Sequence, residues 1–337
     1  MMNLGGRRGH FAQLPLFLIV VVVALLLVSP TAASTGDRLP EFRECVEICE
    51  RENCGPDVEL QTEIPLHRRL LLWTCPDECD YTCQHIVTAE RQTRDPPQPV
   101  VQFHGKWPFY RLLGMQEPLS VVFSLGNWAA HYYGLHNHVL PRIPERYTMR
   151  PFYVFLARLG MVTWFLSAVF HTRDFKLTER LDYFGAGASV LYGMYYAIVR
   201  IWRLDRPGKR NGLRLWTGLC GTMYACHVAY LGLWRWDYTY NTLACVVCGV
   251  VQNLLWSWFS WTRYRQTSQS WAIWPGVVVM WVIMAMSLEL FDFPPLWGSL
   301  DAHSLWHLGT IAPAVLFYHF LVKDAQDDIA SNARLKA

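Results

Sequence analysis

The sequence predicts an all-α membrane protein, a seven-transmembrane helix bundle carrying an N-terminal disulfide-rich lumenal segment. Three observations predict it. Hydrophobic residues make up 52% of the 337 positions and charged residues only 17%, against about 25% charged in an ordinary soluble domain. Sixteen Trp, 16 Tyr and 17 Phe supply the amphipathic rings that collect at membrane–water interfaces. Six of the ten cysteines crowd into one polar stretch ahead of the apolar segments. The same composition excludes disorder, collagen and coiled coil. A net charge of +3 without a basic patch or any finger, helix-turn-helix or RNP spacing leaves no basis for a nucleic-acid partner.

Residues 1–34 read as a signal peptide. Arg7 and Arg8 precede an uncharged apolar run from Leu14 to Val28, and Ser29-Pro-Thr-Ala-Ala-Ser34 offers small residues to signal peptidase. A retained anchor is the alternative, but the run is shorter than the ~20 residues a span needs. Residues 35–118 form the lumenal cysteine-rich segment, with Cys45, Cys49, Cys54, Cys75, Cys79 and Cys83 spaced C-x3-C-x4-C-x20-C-x3-C-x3-C. An even count behind a signal peptide reads as disulfides. Zinc is the competing reading, and the segment lacks the C-x2-C knuckle of structural zinc sites. The pairing is open. Cys220, Cys226, Cys245 and Cys248 lie in apolar segments and read as small core residues.

Residues 119–322 hold seven apolar segments of span length: 119–140, 151–171, 181–200, 213–233, 241–261, 271–291 and 303–322. Orientation follows from the basic residues between them. Arg142, Arg146 and Arg150, then Arg200, Arg203, Arg206, Lys209, Arg210 and Arg214, then Arg263 and Arg265 occupy the odd connections. The even ones hold Arg173, Lys176 and Arg180, then Arg235, then none. Odd connections therefore face the cytosol, the N-terminal segment is lumenal, and residues 323–337 form a cytosolic tail.

This orientation brings ionisable residues from distant segments to one lumenal level, where each is expensive and so a candidate for function. The second segment ends Ser167-Ala-Val-Phe-His171, the third begins Leu181-Asp182-Tyr183, and the seventh begins His303-Ser-Leu-Trp-His307. Residues four apart share a helix face, so His303 and His307 point together, as do Ser167 and His171. Two imidazoles at that spacing and a third from another helix make a three-histidine metal site with an open position. His171, His303 and His307 are the candidate ligands. Asp182 is the nearest carboxylate by depth, placed to accept a proton from an activated water or to orient a ligand. Each also has a plainer reading: an interfacial histidine pair, an N-capping Asp, a Ser bonded to its own backbone. His131 and His227, at mid-depth, read as buried hydrogen-bonding residues. Glu289 and Asp292 lie at the lumenal end and either adjoin the site or merely mark the boundary.

S-x3-H closing the second segment, Asp eleven residues beyond that His and H-x3-H opening the seventh resemble the CREST superfamily of membrane hydrolases, which includes alkaline ceramidases and the progestin and adiponectin receptors. The six cysteines and Phe103-His-Gly-Lys-Trp-Pro-Phe109 resemble the branch that remodels glycosylphosphatidylinositol (GPI) anchors, the post-GPI-attachment to proteins factor 3 family of GPI-specific phospholipases A2. The resemblance implies Zn2+ on His171, His303 and His307, with Ser167 and Asp182 completing a catalytic site. Zinc there would acidify water and polarise an ester carbonyl, Asp182 would carry the proton, and the Ser167 hydroxyl would steady the oxyanion. It further implies GPI-anchored proteins as substrate among membrane lipids, loss of the sn-2 acyl chain, and a Golgi or endoplasmic reticulum membrane. A seven-span receptor or scaffold with structural zinc and a ceramidase-type amidohydrolase are the competing functions; oligomeric state is open.

Overall fold

The computed structural model describes residues 34–55 and 64–334, so the expected signal peptide lies outside the described residues. Those residues are helical, with three isolated β-bridges and no strand among them. They divide into two compact units, residues 34–185 with 280–334, and residues 186–279.

The first unit begins with the cysteine-rich module. Helices α1 (Pro40–Asn53) and α3 (Cys75–Thr93) lie antiparallel, with the short α2 (Leu66–Leu70) between them in sequence. Cys45 bonds Cys83, Cys49 bonds Cys79 and Cys54 bonds Cys75, at Cα separations of 5.8, 5.6 and 5.7 Å. The spacing explains the ladder. Cys45 and Cys49 share one face of α1, Cys79 and Cys83 share one face of α3, and an antiparallel pair can match them only in reverse order. A capping box at Thr74 and Asp77 starts α3. Phe42, Val87 and Phe103 close a small core around the bridges.

Every apolar segment expected from the sequence coincides with a helix. These are α4 (Pro118–Tyr133), which runs on through a π-turn at Gly134–Val139, α5 (Arg150–Thr172), α6 (Lys176–Trp202), α7 (Arg210–Ala229), α8 (Tyr238–Thr267), α9 (Trp274–Phe291) and α10 (Ala302–Arg334). Four of them are long and apolar enough to cross a membrane: α5, α8, α9 with its preceding turn, and α10. That marks a multi-pass membrane protein, with a count below the seven expected. The physical reasons are visible in the other three. Helix α4 has 16 regular residues, short of the ~20 a span needs, while Gly, Tyr, Thr and charged residues dilute α6 and α7.

Helix α5 illustrates how the sequence sorts its faces. Tyr153, Ala157, Gly160, Ser167 and His171 recur at helical spacing and are buried, while Phe155, Val162 and Phe165 on other faces are more than half exposed, as lipid-facing residues must be. Small residues on the inner face let helices approach closely. A Cβ on Gly160 would meet the His131 ring of α4, and one on Gly134 would meet the Tyr318 ring of α10. His131 Nδ1 in turn bonds the Tyr318 hydroxyl at 2.7 Å, the hydrogen-bonding role expected of it, on a ring that is half-buried rather than buried. Helix α10 continues without a break past Val322 to Arg334, with Asp324, Ala325 and Asp328 buried.

In the second unit, Trp256 of α8 packs against Tyr196 of α6, and the Trp216 indole of α7 donates to the Tyr195 carbonyl at 3.1 Å. His227 is buried and its ring lies against that of Tyr240. The four cysteines outside the module are free thiols. Cys220 is buried and Cys245 and Cys248 are half-buried, but Cys226 is exposed, so it is no core residue.

Candidate metal centre

The helices of the first unit bring five polar side chains to one end of the bundle: Ser167 and His171 from the last turns of α5, Asp182 from the start of α6, and His303 and His307 from the first turns of α10. The start of α10 is set locally. Asp301 accepts the Ser304 amide at 2.9 Å while the Ser304 hydroxyl accepts the Asp301 amide at 3.0 Å, a reciprocal cap. Burial raises the Asp301 carboxyl above the ordinary carboxylate range, and its bonds to Ser304 oppose that rise.

The ligand atoms of His171, His303 and His307 all lie within 4.8 Å of one another. His171 and His307 are buried, and His303 is about one-third exposed, so the cluster opens on the His303 side. Each ring is oriented by a second partner. His171 Nδ1 meets Glu117 Oε2 at 2.9 Å, His303 Nδ1 meets the two Glu289 carboxylate oxygens at 2.9 and 3.0 Å, and His307 Nδ1 meets the Ser124 hydroxyl at 3.0 Å. An ionised carboxylate can only accept, so Nδ1 of His171 and of His303 carries the hydrogen, and in the neutral ring Nε2 presents its lone pair. Those two Nε2 atoms face each other at 3.4 Å. Nitrogens sharing a tetrahedral zinc at roughly 2.0–2.1 Å stand about 3.3 Å apart. Two opposed lone pairs at that spacing, each backed by a carboxylate, fit a divalent cation between them.

Glu117, at the head of α4, is buried at 5% exposure. Burial alone would raise its carboxyl, but the Lys106 ammonium and then the His171 imidazole hold it well below the usual carboxylate range. Lys106 also pairs with Asp174 at 3.0 Å; burial works against its charge, and the two carboxylates more than restore it, so its pKa stands above the ordinary lysine value. Asp182 lies beside Ser167, whose hydroxyl is 3.2 Å from that of Ser124. A polar chain thus runs from Asp182 through Ser167 and Ser124 to His307. Asn127, an interruption in the first apolar segment, donates to the His307 carbonyl at 2.7 Å and ties α4 to α10.

All five candidates from the sequence therefore meet in one place. Glu117, Ser124 and Lys106 were not anticipated. Glu117 carries a signal of its own, a lone carboxylate directly before Pro118 where an apolar segment begins. Ser124 carries none, being one small hydroxyl in an apolar run. Glu289 adjoins the site, one of the two alternatives left open for it.

The model of the Per1-like family matches residues 65–325. The chain is 38% identical over 321 residues to "Protein PER1 homolog" of Schizosaccharomyces pombe, covering 93% of this chain and 94% of that one. It is 39% identical over 306 residues to "GPI-specific phospholipase A2-like PGAP3" of Xenopus tropicalis, covering 90% and 94%, and 39% identical over 308 residues to the protein of that name in Homo sapiens, covering 89% and 93%. No solved structure matches.

Proposed function

This chain belongs to the Per1-like family, and from that membership we propose that it remodels GPI-anchored proteins by hydrolysing the sn-2 fatty acyl ester of the anchor. The observation that carries the chemistry is the pair of opposed Nε2 atoms in a three-histidine cluster whose Nδ1 atoms are held by Glu117, Glu289 and Ser124. His171, His303 and His307 would hold the metal, and zinc bound there supplies Lewis acidity toward an ester carbonyl and lowers the pKa of water toward about 7. Asp182 is the proton carrier. It is half-buried beside Ser167 and within the electrostatic reach of His171 and His303, and it moves the proton from the attacking water to the leaving glycerol oxygen. The Ser167 hydroxyl, buried beside Asp182 and 3.2 Å from that of Ser124, would turn its one hydrogen from Asp182 to the developing oxyanion.

The organisation follows the same reading: a signal peptide over 1–34, a lumenal module over 35–118, seven crossings over 119–322 and a cytosolic tail from 323, in Golgi or endoplasmic reticulum membranes. A site at the lumenal end suits a lipid whose head is lumenal and whose ester lies at the interface. The test uses the purified full chain in detergent with added zinc, offered GPI lipid, diacyl phospholipid and ceramide. Fatty acid released from the sn-2 position of GPI, and lost in His303→Ala, is the expected result. Tightly held zinc with no lipid cut would favour a receptor with a structural metal, and release from ceramide alone a ceramidase.

A further inference from the structure

A cleft of about 380 Å³ opens beside the metal centre, between the disulfide-linked pair α1/α3 and the segment 103–116 that leads into α4. It lies wholly within the first unit and outside the membrane-spanning segments. Its volume is in the range of small-ligand sites, roughly 300–1,000 Å³. One wall residue, Lys106, is bonded to Glu117, the residue that holds His171. The cleft is thus two side chains from the cluster.

Its lining is neither apolar nor of one charge. Asp80 stands in it with Gln84 bonded to one carboxylate oxygen at 2.6 Å and His104 to the other at 2.8 Å. A carboxylate has about four lone-pair sites, so Asp80 is oriented by these neighbours and retains acceptor capacity. Trp107 is half-buried, its indole N–H committed to Asp292 at 2.9 Å, which locks the ring in place with part of its surface open. Tyr81 adds a second half-buried ring, one face of it under the Arg111 guanidinium at 4.2 Å, and Glu50, Asp77 and Asp174 add further carboxylates. The cations Lys106, Arg111 and Arg173 are each paired with an acid, Glu117, Glu78 and Asp77. Such balance disfavours a polyanion. Oriented carboxylates and amides beside aromatic surfaces suit a polyhydroxylated ligand, whose hydroxyls bond the polar atoms while its C–H faces lie on the rings.

We propose that this cleft binds the carbohydrate head of the lipid substrate, seating the sugar next to the inositol phosphate while the acyl ester reaches the histidine cluster. The proposal rests on the hydrolase reading above for the identity of that lipid. It assigns the cysteine-rich module a task, because the bridges hold α1 and α3 as one rigid wall of the cleft.

The test titrates the full-length protein in detergent with the water-soluble mannosyl-glucosaminyl-inositol phosphate left when a GPI lipid is stripped of its acyl chains, reading tryptophan fluorescence and isothermal heat. Free mannose oligosaccharide and inositol phosphate serve as separate arms. Saturable binding of the GPI glycan, weakened about tenfold or more in Asp80→Asn and in Trp107→Ala, is expected. Both variants should also raise KM on GPI lipid by a larger factor than they lower kcat. Asp80→Asn is isosteric, so it separates recognition from folding even if Trp107→Ala fails to fold. Equal binding by wild type and variants, or no binding of the GPI glycan, overturns the cleft, as does tighter binding of the free mannose oligosaccharide. Glycan bound as expected with no acyl chain released from any lipid would sink the hydrolase and leave the cleft standing.

Discussion

Glu117 shows how much one side chain decides. It takes a bond from Lys106 and holds the Nδ1 of His171, so it sets both the tautomer and the orientation of a candidate ligand. Partners of this kind typically change metal affinity or activity by roughly 10–100-fold when altered. Glu117→Gln keeps the volume and removes the charge; it should weaken zinc retention by about 10-fold or more, read by competition with a chelator of known affinity. An unchanged affinity would mean that His171 does not depend on Glu117. His104 gives a pH-linked case outside the membrane segments. Its hydrogen bond to Asp80 raises its pKa above the ordinary histidine value, with burial opposing and the charges of Asp80 and Asp37 assisting. A pKa raised by folding stabilises the protein fully below the unfolded value of about 6.5, and that contribution fades as pH rises through the folded value. The His104 ring is 59% exposed, so the effect is small. NMR titration should find the His104 pKa falling in Asp80→Asn, and the thermal midpoints of wild type and His104→Ala should converge above neutral pH.

The bridged pair α1/α3 and the contact of α4 with α10 are where whole elements can be tested. Deleting one bridge, as in Cys49→Ala with Cys79→Ala, relaxes the constraint on a loop of 30 residues and should cost about 2–5 kcal/mol, seen as earlier unfolding or proteolysis of the module. Peptide mapping without reduction should recover Cys45 with Cys83, Cys49 with Cys79 and Cys54 with Cys75; any other pairing refutes the antiparallel ladder. At the other contact, a side chain on Gly134 collides with the Tyr318 ring, and displacing that ring breaks its bond to His131. Gly134→Ala should therefore destabilise by roughly 1–3 kcal/mol, measured by thermal unfolding in detergent, whereas Gly218→Ala, with open space around it, should not.

At the scale of the molecule the open question is the number of crossings. Four helices qualify by length and apolarity, whereas the alternation of basic residues along the connections calls for seven. A polar helix such as α4 would cross only in company, because the Ser124 hydroxyl and the Asn127 side-chain N–H bond α10 rather than face lipid. Glycosylation mapping decides the matter. An acceptor site inserted within 293–299 should be modified in microsomes and one inserted within 204–208 should not. Modification of both would rule out the seven-span orientation.

The helices themselves were legible because apolar runs of span length leave a membrane protein few alternatives, and the His171, His303 and His307 set was legible because helical spacing and charge alternation act along the chain. Ser124 and Lys106 were not, since nothing local distinguishes a Ser that holds a histidine 183 positions away from one that caps its own backbone, and Glu117 shows only as a carboxylate set directly before Pro118. The disulfide order lay between the two: the spacing permits the ladder, but six cysteines allow many pairings until α1 and α3 are known to run antiparallel. Sequence alone determined the all-helical class through hydropathy, the family through resemblance, and which three histidines cluster through local spacing. Tertiary structure alone decided which carboxylates orient those histidines, how the cysteines pair and that a polar cleft adjoins the cluster, because each depends on contacts between segments that the chain order keeps far apart.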